Sequence, residues 1–374
     1  MPITLSSRPS HAFALTLAAL LVAACRGAAP ADTPAPAASA SAASPRIGRV
    51  LAADSGERHL ANIRQLTDGG ENAEAYFSAD DRWITFQSTR DGRACDQQYV
   101  MRTDGTGLRR VSDGRGKTTC GWFLPGGTRL FFASTTHAGA DCPPRPDPSK
   151  GYVWGIDKFD IYTVNRDGSD TRRLTNYGVY TAEGVLSPDG RRIVFTSLKD
   201  GDLDIYTMNV DGSDVRRLTT TPGYDGGPWW SPDGTKIVYR AWHYAAGDTA
   251  GLRQYRELLA QGMIRPNRME LFVMNADGSD NRQITNLGGA NFGPSWTRDG
   301  TRIIFSSNHR NPRSRNFDLF LVDVDGRNLE QVTTNGEFDG FPMFSHDGTK
   351  LIWASNRFDA RQGETNLFIA DWTR

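Results

Sequence analysis

A four-residue turn element comes round six times in this chain, and no other feature restricts the fold as strongly. It stands as Ser78-Ala79-Asp80-Asp81, Leu124-Pro125-Gly126-Gly127, Ser187-Pro188-Asp189-Gly190, Ser231-Pro232-Asp233-Gly234, Thr297-Arg298-Asp299-Gly300 and Ser345-His346-Asp347-Gly348. Successive starts lie 44 to 48 residues apart in three intervals and 63 and 66 apart in the other two, so the second and fourth units carry insertions. Regular recurrence of this kind marks a chain assembled from one supersecondary unit, each copy burying the face of the next.

Within a unit the pattern is that of short strands. A β-rich run follows each element, as in Trp83-Ile84-Thr85-Phe86, Ile193-Val194-Phe195 and Leu351-Ile352-Trp353. A second run, such as Asp204-Ile205-Tyr206-Thr207-Met208, leads into an Asp-Gly turn like Asp211-Gly212-Ser213, where glycine supplies the positive φ of a tight hairpin. A short closing strand ends the unit, as in Arg172-Arg173-Leu174-Thr175 or Arg216-Arg217-Leu218-Thr219. Four short strands per unit predict an all-β fold of propeller blades. The last unit stops at Leu367-Phe368-Ile369-Ala370-Asp371-Trp372 without a closing strand, and an orphan one, Arg64-Gln65-Leu66-Thr67, precedes the first unit. The expectation is a six-bladed β-propeller of four-stranded blades, closed by the N-terminal strand completing the last blade, which removes a free sheet edge.

Ser-Pro-Asp-Gly, Ile-Tyr-Thr-Met-Asn, Asp-Gly-Ser and Arg-Arg-Leu-Thr, in this order, resemble the TolB-like (WD40-like) propeller repeat from residue 63 to 372. The resemblance implies a propeller that binds other molecules. TolB itself carries an α/β domain ahead of its propeller, where this chain has a short Ala/Pro stretch. The same repeat forms the gating propeller of prolyl-oligopeptidase-like enzymes, whose hydrolase domain has no counterpart in these repeats.

At the N-terminus, Arg8 and the apolar stretch from Ala12 to Ala24 read as an export signal, too short to span a bilayer as a mature helix. Small residues before Cys25 resemble a bacterial lipoprotein signal, with Cys25 as the lipidated first mature residue; an ordinary secretory signal is the alternative. Residues 1–24 are thus expected to be a signal, 25–60 an Ala/Pro/Ser tether with almost nothing to bury, and 61–374 the propeller. Arg26 after the cysteine points to the outer membrane, with the domain on the periplasmic side, a monomer touching the membrane only through its lipid. Lys plus Arg and Asp plus Glu both number 43, and a chain without a basic footprint is not expected to bind nucleic acid. Cys95, Cys120 and Cys142 allow three pairings with one thiol left over in an oxidising compartment.

First strands of a propeller line its channel, so residues just ahead of each turn element are expected to ring the mouth. Six positions before it stand Asn72, Thr118, Thr181, Asp225, Asn291 and Asp339; four before it stand the carboxylates Glu74 and Glu183. Four residues after the aromatic of each second strand stand Arg90, Thr136, Lys199, His243, His309 and Arg357. Either the two series pair, tying neighbouring blades together, or unpaired members bind a ligand or partner at the mouth. His243 and His309 with Asp225 and Asn291 are weighed as metal ligands, but histidines at repeat-equivalent positions follow from repetition alone, and no metal or cofactor is expected.

Both insertions fall on this same face. The first, His137 to Lys158, carries Tyr152 and Trp154; the second, Trp242 to Met269, carries Trp242 and Tyr244 and has Leu252, Tyr255, Leu258 and Leu259 at helical spacing. Unit five adds Arg310, Arg313 and Arg315. Such loops suit a partner or ligand surface, or pack against one another. No Gly-x-Ser-x-Gly, His-Glu-x-x-His or Cys-x-x-Cys occurs, and Gly114-Arg115-Gly116-Lys117-Thr118 lies between strands as a turn. The expectation is a non-catalytic envelope module binding an envelope protein, a peptide or a glycan. The alternative is a propeller hydrolase or lyase acting on an envelope or extracellular polymer, through a carboxylate pair such as Glu183 with Asp225.

Overall fold

The computed structural model describes residues 47–359, 361 and 363–373, so the expected signal and lipidated Cys25 lie outside the described residues. Blade 3 shows the unit at its plainest, with strands Thr181–Leu186, Arg192–Ser197, Asp204–Asn209 and Arg216–Arg217 antiparallel in chain order. The turn element closes on itself by local chemistry. The Ser187 hydroxyl donates to Asp189 at 2.6 Å and accepts from the Arg192 N–H at 2.9 Å, while Gly190 takes φ +73°. Because residues 187–192 supply every group, the same bonds recur at Ser78, Ser231, Thr297 and Ser345, while Leu124-Pro125-Gly126-Gly127 turns on backbone bonds alone.

The first strands are Asn72–Phe77, Thr118–Phe123, Thr181–Leu186, Gly223–Trp230, Asn291–Trp296 and Asp339–Phe344. Each packs on the first strands of the blades on both sides, all the way round, so the ring is closed. Blade 6 is completed by Leu60–Gln65, paired with Asn366–Trp372 as the repeat pattern predicts. The blade also has a fifth strand, Val50–Leu51, paired with Ile63 and Arg64. Part of the segment expected as tether is therefore sheet. It also contributes Glu57, a buried carboxylate paired with Arg357.

One aromatic pair holds the middle of each blade. Phe86–Tyr99, Phe132–Tyr162, Phe195–Tyr206, Tyr239–Phe272, Phe305–Phe320 and Trp353–Phe368 join second and third strands at centroid separations of 5.6 to 6.3 Å. Such cross-strand pairs contribute about 0.5–1.5 kcal/mol each beyond the area they bury.

The two insertions pack against one another, one of the two alternatives raised above. Trp154–Gly155 pairs with Met263–Ile264 as a small antiparallel sheet, and helix Thr249–Leu259 buries Tyr255 and Leu259 beneath it. Asp248 caps that helix by accepting from the Gly251 N–H. A disulfide joins Cys95 to Cys142 and ties the first insertion to blade 1, leaving Cys120 as a buried thiol. Among the described residues no helix is long and apolar enough to cross a membrane.

Candidate functional site at the roofed channel mouth

Every first strand is bulged at the same place, and the bulges form a ring inside the channel. The residue four positions before each turn element is Glu74, Cys120, Glu183, Gly227, Gly293 or Phe341, and all six have φ between +51° and +60°. The register between first and second strand shifts across this residue in every blade. A left-handed conformation costs a residue with a Cβ about 1–2 kcal/mol, so four non-glycines held this way make the ring a built feature of the mouth.

In blades 2, 4 and 6 the bulge leaves a backbone N–H that needs an acceptor, and the preceding blade supplies it. Glu74 accepts from Cys120 N at 3.1 Å, Glu183 from Gly227 N at 2.9 Å, and the Ser306 hydroxyl from Phe341 N at 3.1 Å. Glu183 turns its other oxygen to Arg240, which is almost wholly buried, stands over the rings of Trp154 and Tyr224, and bridges blades 3 and 4. Gly227 is required here, since a Cβ on it would collide with the Arg240 guanidinium. Glu74 also accepts from the Cys120 thiol at 2.9 Å and the Thr119 hydroxyl at 3.2 Å, all through one oxygen. Burial pushes the Glu74 carboxyl above its ordinary range; burial, together with the neighbouring carboxylates, raises the Cys120 thiol well above its own. The thiol donates to Glu74, and its raised pKa favours the protonated form.

These groups enclose a cavity of about 340 Å³. Its walls are Tyr76, Tyr180, Phe292 and Phe341, and its roof is Pro146, Val153 and Trp154 of the first insertion. The Trp154 indole donates to the Tyr152 hydroxyl at 3.1 Å, and Arg315 stands over the half-exposed Tyr152 ring at the outer rim. Below, Tyr76, Trp122 and Trp229 meet across the channel at centroid separations of 5.0 to 5.5 Å and form a floor. A second hollow of about 530 Å³ opens beyond it toward the opposite face.

Of the residues singled out from sequence, the structure brings Glu74, Glu183 and Trp154 together at the cavity, with Tyr152 at its rim. The remaining members of both series sit inside their blades. Asn72, Asp225, Asn291 and Asp339 are fully buried, and none of them lines the mouth. Asn72 accepts from Arg90 at 3.2 Å, Asp225 bonds His243 at 2.7 Å, Asn291 accepts from Ser307 at 2.6 Å, and Asp339 accepts from Arg357 at 3.2 Å. The two series meet directly in blades 1, 4 and 6, within a blade instead of between blades, because strand pairing sets the two positions side by side; in blade 5 Ser307 stands between Asn291 and His309. The basic series also caps the aromatic pairs. Arg90 stands over Phe86 and Tyr99, Lys199 over Tyr206, Arg357 over Trp353 and Phe368, while the His243 and His309 rings lie on Phe272 and Phe320. Trp242 lines an outer groove together with His243, and Tyr244 packs on Tyr255. No cluster of metal-ligating residues occurs among the described residues.

Sequence reasoning missed Arg240, Cys120 and Phe341. Two of these share the column of Glu74 and Glu183. Arg240 stands where the other repeats have Gln87, Ala133, Thr196, Ser306 and Ala354, so one arginine in a small or neutral column was the available signal.

Residues 154–249 match a family model described as the TolB beta propeller domain. The match covers about a quarter of this chain, a six-bladed propeller, and marks that segment as similar to the TolB propeller. Among solved structures, the fold is similar to that of a putative TolB from Agrobacterium tumefaciens, at 18% identity and TM-score 0.52, covering 82% of this chain and 91% of that one. TolB from Acinetobacter baumannii gives 16% identity and TM-score 0.51 over 81% of this chain and 63% of that one. A gluconolactonase from Xanthomonas campestris gives 16% identity and TM-score 0.56 over 88% and 98%. At these identities the likeness is one of fold, shared by TolB proteins and an enzyme alike. No curated protein matches this chain.

Proposed function

We propose that this TolB-like propeller is a non-catalytic binding module of the cell envelope, receiving a projecting group of an envelope protein, peptide or glycan in the roofed channel mouth. The observation that carries this reading is the cavity itself. At about 340 Å³ it suits a side chain or a single sugar, and its walls are aromatic with a few fixed polar groups, the usual make-up of a recognition pocket. Its polar groups mostly hold one another: Arg240 holds Glu183, and one oxygen of Glu74 holds the Cys120 thiol. Export is supported by the Cys95–Cys142 disulfide, which persists in an oxidising compartment. Lipidation at Cys25 and the outer membrane remain part of the proposal on the motif alone.

The second reading, a propeller hydrolase or lyase, draws on Glu74 and Glu183 facing one cavity, with Glu74 raised by burial as a general acid would be. One experiment separates the two. The chain carrying Cys25→Ser, and the same chain with Trp154→Ala, are used to capture components of a detergent-solubilised envelope. The captured material and a panel of envelope glycans are then incubated with each and analysed for cleavage. Intact material retained by the parent and lost with Trp154→Ala supports the binding module. Cleavage abolished by Glu74→Gln would replace it with the enzyme.

A further inference from the structure

Charge around the mouth cavity is unevenly matched. Three carboxylates line it, Glu74, Asp96 and Glu183, beside two cations, Arg240 and Lys117. Arg240 is committed to Glu183, and Lys117 to Asp157 at 3.4 Å outside the lining. Glu74 makes its bonds to Thr119 and Cys120 through Oε2, and among the described residues its Oε1 has no hydrogen-bond partner. The Asp96 side chain has none either; only its backbone carbonyl accepts, from Gln97 and from Thr118. Two carboxylates thus reach the cavity without a matched donor, among the rings of Tyr76, Trp154, Phe159, Tyr180, Phe292 and Phe341. Anionic oxygens among ring faces attract a cation on an apolar stem and offer nothing to an anion.

We propose that the occupant of the mouth is an organic cation, a primary ammonium on a slender stem, lodged between Glu74 and Asp96. This deepens the binding reading and rests on it. The ammonium donates to Glu74 Oε1 and the Asp96 carboxylate, and its stem lies under Trp154. Free amines and lysine side chains share this chemistry.

The test is calorimetric titration of the full chain carrying Cys25→Ser at pH 8 with n-pentylamine, with 1-pentanol as its neutral isostere, and with Nα-acetyl-lysine methylamide. Pentylammonium is expected to bind saturably, and pentanol at least about tenfold more weakly, the loss of one charge-assisted hydrogen bond. Glu74→Gln and Asp96→Asn each weaken the amine by about tenfold at unchanged melting temperature, since glutamine still accepts from Cys120 N. A lysine derivative that binds more tightly than pentylamine assigns the cation to a peptide; the reverse order assigns it to a free amine. Equal binding of pentanol and pentylamine, or an unchanged affinity in Glu74→Gln, overturns the inference. So does a neutral saccharide that binds in a Trp154-dependent way where no amine does, and that result leaves the mouth as a binding site. Failure of every probe, together with envelope capture indifferent to Trp154→Ala, removes the cation and the binding reading together.

Discussion

One buried arginine pins the segment that leads into the ring-closing strand, and its removal has a calculable cost. Arg357 grips Glu57 with both terminal nitrogens, at 2.8 and 3.2 Å, and reaches Asp339 at 3.2 Å. The arginine side chain is 4% exposed and both carboxylates 0%, so water replaces none of these bonds when the guanidinium is lost. Arg357→Met keeps much of the stem over Trp353 and Phe368 but orphans two buried carboxylates, which costs about 3–5 kcal/mol. With an unfolding entropy of about 2.1 cal/mol/K per residue over roughly 310 folded residues, the melting temperature falls by about 5–8 °C. The pH dependence has a definite sign. Burial already raises Asp339 in the presence of Arg357, and without the guanidinium that carboxyl is raised further. A carboxyl raised in the folded state favours folding below its unfolded value and loses that contribution as pH rises through the folded one. The deficit of the variant therefore grows from pH 5 to pH 8. Thermal unfolding followed by circular dichroism at both pH values reads this. The control is Arg172→Met, whose guanidinium is largely exposed beside Asp170 and whose loss costs about 0–1 kcal/mol. A melting temperature for Arg357→Met within about 1 °C of Arg172→Met would refute the reasoning.

Three further outcomes follow from the same structure. Cys95→Ser/Cys142→Ser opens a loop with a sequence separation of 47, worth about 4 kcal/mol by chain entropy; calorimetry should show the loss, and limited proteolysis should nick residues 137–150 first. Gly227→Ala combines a left-handed backbone with a collision against Arg240 and should cost about 3 kcal/mol or more, whereas Gly126→Ala, at φ +83° in open space, should cost only the strain of about 1–2 kcal/mol in denaturant titration. Amine affinity at the mouth should fall as pH drops through about 6, the value to which burial pushes Asp96 while Lys117 and Arg145 oppose and Glu71 and Glu74 add to the rise. Glu74, raised by burial beside Cys120, Thr119, Glu183 and Arg240, contributes in the same direction; affinity independent of pH from 5 to 8 would contradict this.

The parts of the fold legible in the sequence are those made by neighbours in the chain. Ser187, Asp189 and Gly190 close their turn within six residues, and Ser213 N–H donates to Asp211 at 2.9 Å across the outer hairpin, so both motifs can be read without knowing the fold. The missing sixth closing strand was likewise readable as an imbalance in the repeats. The mouth was harder because its chemistry is made between blades. Arg240 meets Glu183 across 57 positions, Glu74 meets Cys120 across 46, and Trp154–Gly155 finds Met263–Ile264 through an insertion pairing that periodicity does not encode. Glu57 was hidden for the opposite reason: it lies in a stretch whose composition resembles a tether, yet its carboxylate is required by Arg357. The polar series at Asp225 and Asp339 was visible, but its burial depends on the first strand turning those side chains into the blade before the bulge turns the next ones toward the channel.

The most direct test of the central claim is site-specific photo-crosslinking in the envelope. A benzophenone side chain is placed at Tyr152, on the rim of the roofed mouth, or at Leu108, comparably exposed in an outer hairpin on the opposite face. A discrete crosslinked product is expected from position 152, abolished by Trp154→Ala, and none from position 108. A product from position 108 alone, or one from 152 that survives Trp154→Ala, would contradict it.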